Sequence, residues 1–190
     1  MWWFSKQLIK ITAAHIANYI FYQAKKDQVL ITPLKLQKLI YFLFGHYFNF
    51  SDQKLFNDRF YAWEHGPVIP HLYYQLKKHQ ANPIPLDTLV WHADFKKEKF
   101  MPASLSDLTN NQFNILYSIW EHYSQIDARK LVILSHQKNT PWDKTYEHGF
   151  EKLIPHKRIK TFFLKNPLNE KDYERKKMMC LKNPLGGFFL

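Results

Sequence analysis

The first third of the chain carries apolar residues at the spacing of amphipathic helices. Thr12 can cap a helix, and apolar side chains recur after it at intervals of three and four positions, at Ala13, Ile16, Ala17, Ile20, Phe21 and Ala24. Thr32 and Pro33 then provide a capping side chain followed by proline at the first helical position. This arrangement predicts a second helix over residues 33–50.

The second predicted helix is apolar on most of its circumference. At about 100° per residue, one broad face collects Leu36, Leu39, Ile40, Leu43, Phe44 and Tyr47. The narrow remaining stripe carries Lys35, Lys38, Gly45 and His46, with Phe42 set among them. An aromatic residue in a polar stripe is either packed under a neighbouring loop or exposed for a partner, so Phe42 is a candidate contact residue.

Shorter patterns follow downstream. An extended run ends at Trp63, a helix over residues 71–79 places Leu72, Tyr73 and Leu76 on one face, and residues 88–91 can pair with residues 99–101. Further helix starts are predicted at Thr109 (a capping box with Gln112), Asp127, Thr140-Pro141 and Ile154-Pro155. The predicted fold is mainly α: a compact single-domain helical bundle around a central apolar helix (33–50), with a small β element.

The segment from Trp63 to Pro70 predicts a rigid turn. Gly66 can adopt backbone angles that other residues avoid, while Pro67 and Pro70 each fix φ. Large aromatic residues beside such turns usually anchor them in the core, which favours a structural role for Trp63 and for Trp142. Glu64 and His65 flank the turn and are either partner contacts or a solvated pair.

Several motifs in the same order resemble those of the Panacea domain, the SocA-like antitoxin family that includes phage-associated GepA-type proteins. The matching segments are Thr32 to Leu39, Gly45-His46, Leu55-Phe56, Trp63 to Pro70 with Leu72-Tyr73, Leu134 to His136 and Pro141-Trp142. The resemblance runs from about Ala13 to Phe163. His65 stands where Tyr is usual, Ser135 stands where Thr is usual, and everything after Lys165 lies outside the pattern.

The resemblance implies an antitoxin that neutralises a cognate protein toxin, either by direct binding or by delivering the toxin to a cellular protease. The expected partner-binding residues are Lys35, Lys38, Phe42, His46, Glu64 and His65. The expected structural motif consists of Trp63, Gly66, Pro67, Pro70 and Trp142. We expect an antitoxin domain over residues 1–164 and a basic C-terminal tail over residues 165–190.

Composition fits a folded, cytoplasmic protein. Of the 190 residues, 46% are apolar and 17% aromatic, which excludes the composition of disordered chains and supports one domain with an aromatic core. Cys180 is the single cysteine, so no intramolecular disulfide can form and a reducing compartment is expected. The longest apolar run, residues 39–45, is far shorter than the roughly 20 residues that a spanning helix needs, so no membrane association is expected.

The formal net charge of +11 raises the alternative of nucleic-acid binding. Residues 152–182 hold ten Lys or Arg against three acids, a net of +7. This C-terminal excess is either a solvated basic face or the site of weak, non-specific nucleic-acid binding. The alternative function is therefore a nucleic-acid-binding regulatory protein that uses the basic C-terminal region.

The sequence offers no recognisable catalytic, metal or cofactor motif. The ten histidines are scattered without the i, i+4 pair of a zinc-binding helix, and no glycine-rich phosphate loop occurs. Ser135-His136 lacks the strand-to-helix elbow that exposes a nucleophile. We therefore expect no enzyme, no metal and no cofactor. An enzyme without a recognisable motif is the third functional class, behind an antitoxin and a nucleic-acid-binding regulator.

Overall fold

The computed structural model describes residues 11–51, 53–94 and 99–168. Within these ranges the chain forms six α-helices and two small antiparallel sheets. The helices are α1 (Ala13–Asp27), α2 (Pro33–Tyr47), α3 (Pro70–Leu76), α4 (Asn110–Tyr123), α5 (Ala128–His136) and α6 (His156–Lys165). The strands are β1 (Phe60–Trp63), β2 (Gly66–Val68), β3 (Trp91–Asp94), β4 (Lys99–Pro102) and β5 (Lys152–Ile154). The prediction of a mainly α protein with a small β element is confirmed.

Helix α2 contacts most of the other elements. It packs against α1, α3, α4, α5, α6 and strand β2. Its start is the predicted one, because the Thr32 hydroxyl accepts a hydrogen bond from the Lys35 amide at 3.2 Å and proline occupies the first turn. The helix ends at Tyr47 and not at residue 50, since residues 48–50 form turns that return the chain toward β1.

The other predicted helix starts were confirmed with one exception. Thr109 and Gln112 form a reciprocal capping box, and the Asp127 carboxylate caps α5 by accepting from the Lys130 amide at 2.9 Å. Thr140-Pro141 does not begin a helix, because residues 141–145 form successive turns. The Thr140 hydroxyl donates back to the Ser135 carbonyl at 2.9 Å, which folds this segment against the end of α5.

The first sheet has the strand order β2-β1-β5. The predicted extended run and rigid turn form a hairpin of strands β1 and β2, with Tyr61 opposite Val68 and Trp63 opposite Gly66, although the pairing itself was not predicted. Strand β5 pairs antiparallel with the other edge of β1, where Phe60 faces Ile154. The second sheet is the hairpin of β3 and β4, which begins three positions later than the predicted run at residue 88.

The core is rich in aromatic side chains. Tyr41 meets Phe60 and Phe163 edge-on, with ring centroids 5.5 Å apart in both pairs. A Cβ on Gly45 would lie 2.2 Å from the Phe163 ring, so glycine permits α6 to approach the backbone of α2. Burial of each such aromatic side chain contributes roughly 2 kcal/mol to folding. The aromatic core predicted from composition is therefore built mainly around α2.

None of the helices in the described ranges is long and apolar enough to cross a membrane. The predicted tail over residues 165–190, including Cys180, lies outside the described residues beyond position 168. The division between residues 164 and 165 stays a prediction.

Candidate functional site

The β1–β2 turn presents two exposed side chains above a buried glycine. Glu64 and His65 occupy the turn and are exposed, whereas residues 66–69 are buried. Gly66 has φ of 101°, in the region that favours glycine. A Cβ there would also lie 2.8 Å from both Lys38 Cε and Ser135 Oγ. Helix α2 and the end of α5 therefore hold the turn from both sides, and only glycine fits between them.

Lys38 is the first anchor of this turn. Its side chain is fully buried, and its ammonium nitrogen donates to the Pro67 carbonyl at 2.8 Å. Burial disfavours the charged form and lowers the pKa of Lys38 from 10.5 to about 7. The lysine is thus a structural hydrogen-bond donor inside the protein.

Gln37 is the second anchor from α2. Its amide oxygen accepts from the Ile69 amide at 2.9 Å, and its amide nitrogen donates to the Ile69 carbonyl at 3.3 Å. The side chain satisfies both backbone groups of a buried residue that has no strand partner on that side. Adjacent residues of α2 therefore hold the two ends of the segment 67–69.

The segment after α5 supplies the third anchor. The Trp142 indole nitrogen donates to the Trp63 carbonyl at 2.7 Å. The same ring stacks on His136 with centroids 3.6 Å apart and an interplanar angle of 9°. Burial, followed by the positive charges of Lys38 and His65, lowers the pKa of His136 to about 4. We call residues 60–69, together with Gln37, Lys38 and Trp142, the anchored hairpin.

Four of the six predicted partner-binding residues are not exposed. Lys35, Lys38, Phe42 and His46 are 8%, 0%, 5% and 3% exposed, respectively. In this fold these four candidate contact residues are therefore not available at the surface. The hairpin and helices α4, α5 and α6 cover them.

The covering contacts explain the burial. Phe42 stacks on Tyr123 with centroids 4.6 Å apart. The His46 ring lies 2.7 Å from the Tyr123 hydroxyl, and burial lowers the pKa of His46 to about 3. Burial also lowers the pKa of Lys35, although the Asp127 carboxylate opposes that shift. Phe42 thus occupies the packed alternative that the sequence left open.

The predicted structural residues lie in or beside the anchored hairpin. Gly66 and Pro67 are buried in β2, Pro70 begins α3, and Trp142 is 8% exposed. Trp63 is half-buried, and its ring meets Tyr73 edge-on with centroids 5.0 Å apart.

Sequence reasoning missed an exposed aromatic surface beside the turn. Tyr73, Tyr74 and Trp91 are 37%, 57% and 44% exposed, whereas Leu72 and Leu76, which the sequence placed on one face with Tyr73, are buried. The Gln75 side chain joins α3 to β3 by accepting from the Trp91 amide at 3.1 Å and donating to its carbonyl at 2.9 Å. We call Glu64, His65, Tyr73, Tyr74 and Trp91 the turn surface. The sequence signal that could have found this surface is the pair of adjacent tyrosines, Tyr73 and Tyr74, shortly after the turn that ends at Pro70.

The described ranges contain no group of three or more His, Cys, Asp or Glu side chains that could hold a metal ion. Ser135 and His136 do not form a nucleophile and base pair, because the Ser135 hydroxyl donates to the Val132 carbonyl at 2.8 Å. The geometry around the turn is thus that of an anchored backbone segment with exposed side chains above it.

Comparison with known proteins assigns the chain to a family. A family model described as "Antitoxin SocA-like, Panacea domain" matches residues 36–143. The chain is also similar to Antitoxin SocA of Caulobacter vibrioides (strain NA1000 / CB15N), with 27% identity over 140 residues, which covers 70% of this chain and 69% of that protein. No solved structure matches the chain significantly.

Proposed function

Because the chain belongs to the SocA-like antitoxin family that carries the Panacea domain, we propose that it is an antitoxin that binds and neutralises a cognate protein toxin. One observation carries this proposal. The family match over residues 36–143 spans all three anchors of the hairpin, Gln37, Lys38 and Trp142. The matched region therefore includes the rigid unit that holds the turn surface in place.

The turn surface is the contact area that we propose for the toxin. Tyrosine and tryptophan are enriched among the residues that dominate binding energy at protein interfaces. A surface held by buried hydrogen bonds also loses little conformational entropy on binding. Glu64 and His65 extend the exposed aromatic side chains with polar groups, which is the usual composition of an interface rim.

We further propose that the protein acts by binding and not by catalysis. The polar side chains around the turn are committed to structural hydrogen bonds: Gln37 to Ile69, Lys38 to Pro67 and Ser135 to Val132. Each bond satisfies a backbone group of the fold. These polar groups thus support a binding scaffold.

Growth rescue tests the proposal. The protein is co-expressed with each small reading frame adjacent to its gene, and we expect it to restore growth to cells that one of them arrests. The triple variant Glu64→Ala/His65→Ala/Tyr74→Ala should lose rescue, because it removes exposed contacts and leaves the anchors intact. Tyr22→Ala/Tyr117→Ala is the matched control, since both tyrosines are 42% exposed on other helices.

The outcomes test the antitoxin function and the proposed toxin-binding surface separately. If no adjacent reading frame is toxic, or if the wild type rescues none, the antitoxin function is contradicted. If the triple variant rescues fully while folded, the toxin binds elsewhere. Toxin half-life in cells with and without their major cytoplasmic proteases then distinguishes masking, which leaves toxin abundance unchanged, from proteolytic delivery, which lowers it.

A further inference from the structure

A second surface of the protein contains a large groove, and the charged residues among its described lining are all cationic. The groove has a volume of about 740 Å³ and lies between α6 and the segment that follows α5. No acidic residue is among the described side chains that line it. We call it the basic groove, and its cationic residues are Lys138, Lys144, Lys157, Arg158 and Lys165.

The positive charge of the groove is partly fixed in position. The Arg158 guanidinium donates to the Lys144 carbonyl at 3.1 Å and to the Thr145 hydroxyl at 2.6 Å. Arg158 and Lys157 also stand in the first turn of α6, which carries no acidic residue. Cations are disfavoured at this positive end of the helix dipole. An anionic partner would relieve the repulsion among these groups.

One acid next to the groove is engaged in a local hydrogen bond. Asp143 lies in the same segment as Lys138 and Lys144, but its carboxylate accepts a hydrogen bond from the Asn139 amide at 2.8 Å. That bond holds Asn139, whose φ of 71° lies in the left-handed region. The Asp143 carboxylate thus stabilises the local turn.

The apolar lining distinguishes between two kinds of anionic partner. Pro141, Pro155 and Phe162 line the groove together with the cations, and Leu164 is 48% exposed on the same helix. A phosphate backbone has no apolar side to match these residues, and Phe162 is the one aromatic ring among the described residues that line the groove, so they offer no series of rings for base stacking. An amphipathic acidic polypeptide matches both the charge and the apolar lining.

We propose that the basic groove binds an acidic amphipathic segment of the toxin, with carboxylates against the cations and apolar side chains against Pro141 and Phe162. This inference rests on the proposed antitoxin function. It is supported by continuity with the anchored hairpin, because Pro141 precedes Trp142, whose indole is bonded to Trp63. The groove and the turn surface are therefore attached to one anchored unit.

Direct binding tests the chemistry of the groove without the toxin. The probe is a fluorescent synthetic peptide with glutamates on one helical face and leucines on the other. Two comparison probes are the same peptide with serine in place of leucine and a short single-stranded RNA. We expect the leucine peptide to bind most tightly, and Lys138→Glu/Lys157→Glu/Lys165→Glu to weaken it by about tenfold or more.

The matched control variant is Lys25→Glu/Lys54→Glu/Lys130→Glu, which makes the same change in net charge at exposed lysines outside the groove. An equal loss of affinity in this control would overturn the proposal, since the effect would then be that of overall charge. Equal binding of the leucine and serine peptides, or tighter binding of the RNA at the same salt concentration, would overturn it as well.

Growth rescue separates this inference from the proposed function. Loss of rescue in the groove variant but not in the control supports docking of the toxin in the groove. Full rescue by a folded groove variant that no longer binds the peptide overturns the assignment to the toxin and leaves the antitoxin function intact. Failure of the wild type to rescue contradicts the function itself, whereas the peptide measurement still reports on the groove.

Discussion

Lys38 shows how one residue can be essential to a local structure and still destabilise the whole protein near neutral pH. Its ammonium group is buried with a single protein carbonyl as partner. The unfolded chain keeps this lysine protonated up to about pH 10.5, whereas the folded protein holds its pKa at about 7. Between these values the unfolded state binds more protons, so stability rises with pH.

The first prediction concerns this pH dependence. Between about pH 7 and pH 9, the titration of Lys38 should raise the free energy of unfolding by about 2 kcal/mol. Lys38→Met removes the titrating group, so its stability should rise less over the same window in urea denaturation. Lys78→Met replaces an exposed lysine and should behave as the wild type does. Parallel pH profiles for wild type and Lys38→Met would show that the buried amine stays charged.

At the scale of elements, the β1–β2 hairpin depends on side chains from distant parts of the chain. Trp142→Phe removes the indole donor and leaves the Trp63 carbonyl without this bond, while it keeps an aromatic ring at the position that stacks on His136. The loss should cost about 1–3 kcal/mol. It should also increase amide hydrogen exchange in residues 60–69 more than the global change in stability explains.

The control for this prediction removes a similar bond elsewhere. The Trp120 indole donates to Asp27 at 2.6 Å, so Trp120→Phe should lower global stability without selective exchange in the hairpin. If both variants increase exchange in residues 60–69 to the same extent, Trp142 is not a specific anchor of the hairpin.

The helices were predictable where their signals are local. Thr32 receives its capping bond from Lys35, and Thr109 from Gln112, so each signal lies within three positions. Strand β5 was missed because it is only three residues long and its partner β1 lies about ninety positions earlier. Thr140-Pro141 carried a local helix signal, but the Thr140 hydroxyl bonds back to Ser135 and starts a turn.

The segments that form the candidate site could be predicted from the sequence, but the contacts between them could not. Helical periodicity places Lys35, Lys38 and His46 on one side of α2, but it cannot report what packs over that side. The turn was predicted as rigid from Gly66 and Pro67, yet the bonds that hold it come from residues 29 to 79 positions away. Exposure of Tyr73 likewise depends on where α3 meets the rest of the fold.

The whole molecule combines a large positive charge with four histidines whose pKa is lowered by burial. The formal charge is +11 before any histidine is protonated. Burial lowers the pKa of His71 and His156, as it does for His46 and His136. In the unfolded chain these groups protonate near pH 6.5. The unfolded state therefore binds more protons below that pH, and folding stability falls with acidification.

The last prediction is that the protein loses folding stability in acid and that His46 accounts for a measurable part of this loss. With its pKa at about 3 in the folded protein, His46 alone should remove about 2 kcal/mol of stability between about pH 7 and pH 5. His46→Gln does not titrate, so its stability should fall by correspondingly less over this range, whereas His148→Gln at an exposed site should follow the wild type. Urea denaturation at both pH values provides the comparison. An undiminished loss in His46→Gln would contradict this prediction. It would mean that the His46 ring accepts a proton in the folded protein and that other groups, such as His71, His136 and His156, account for the effect.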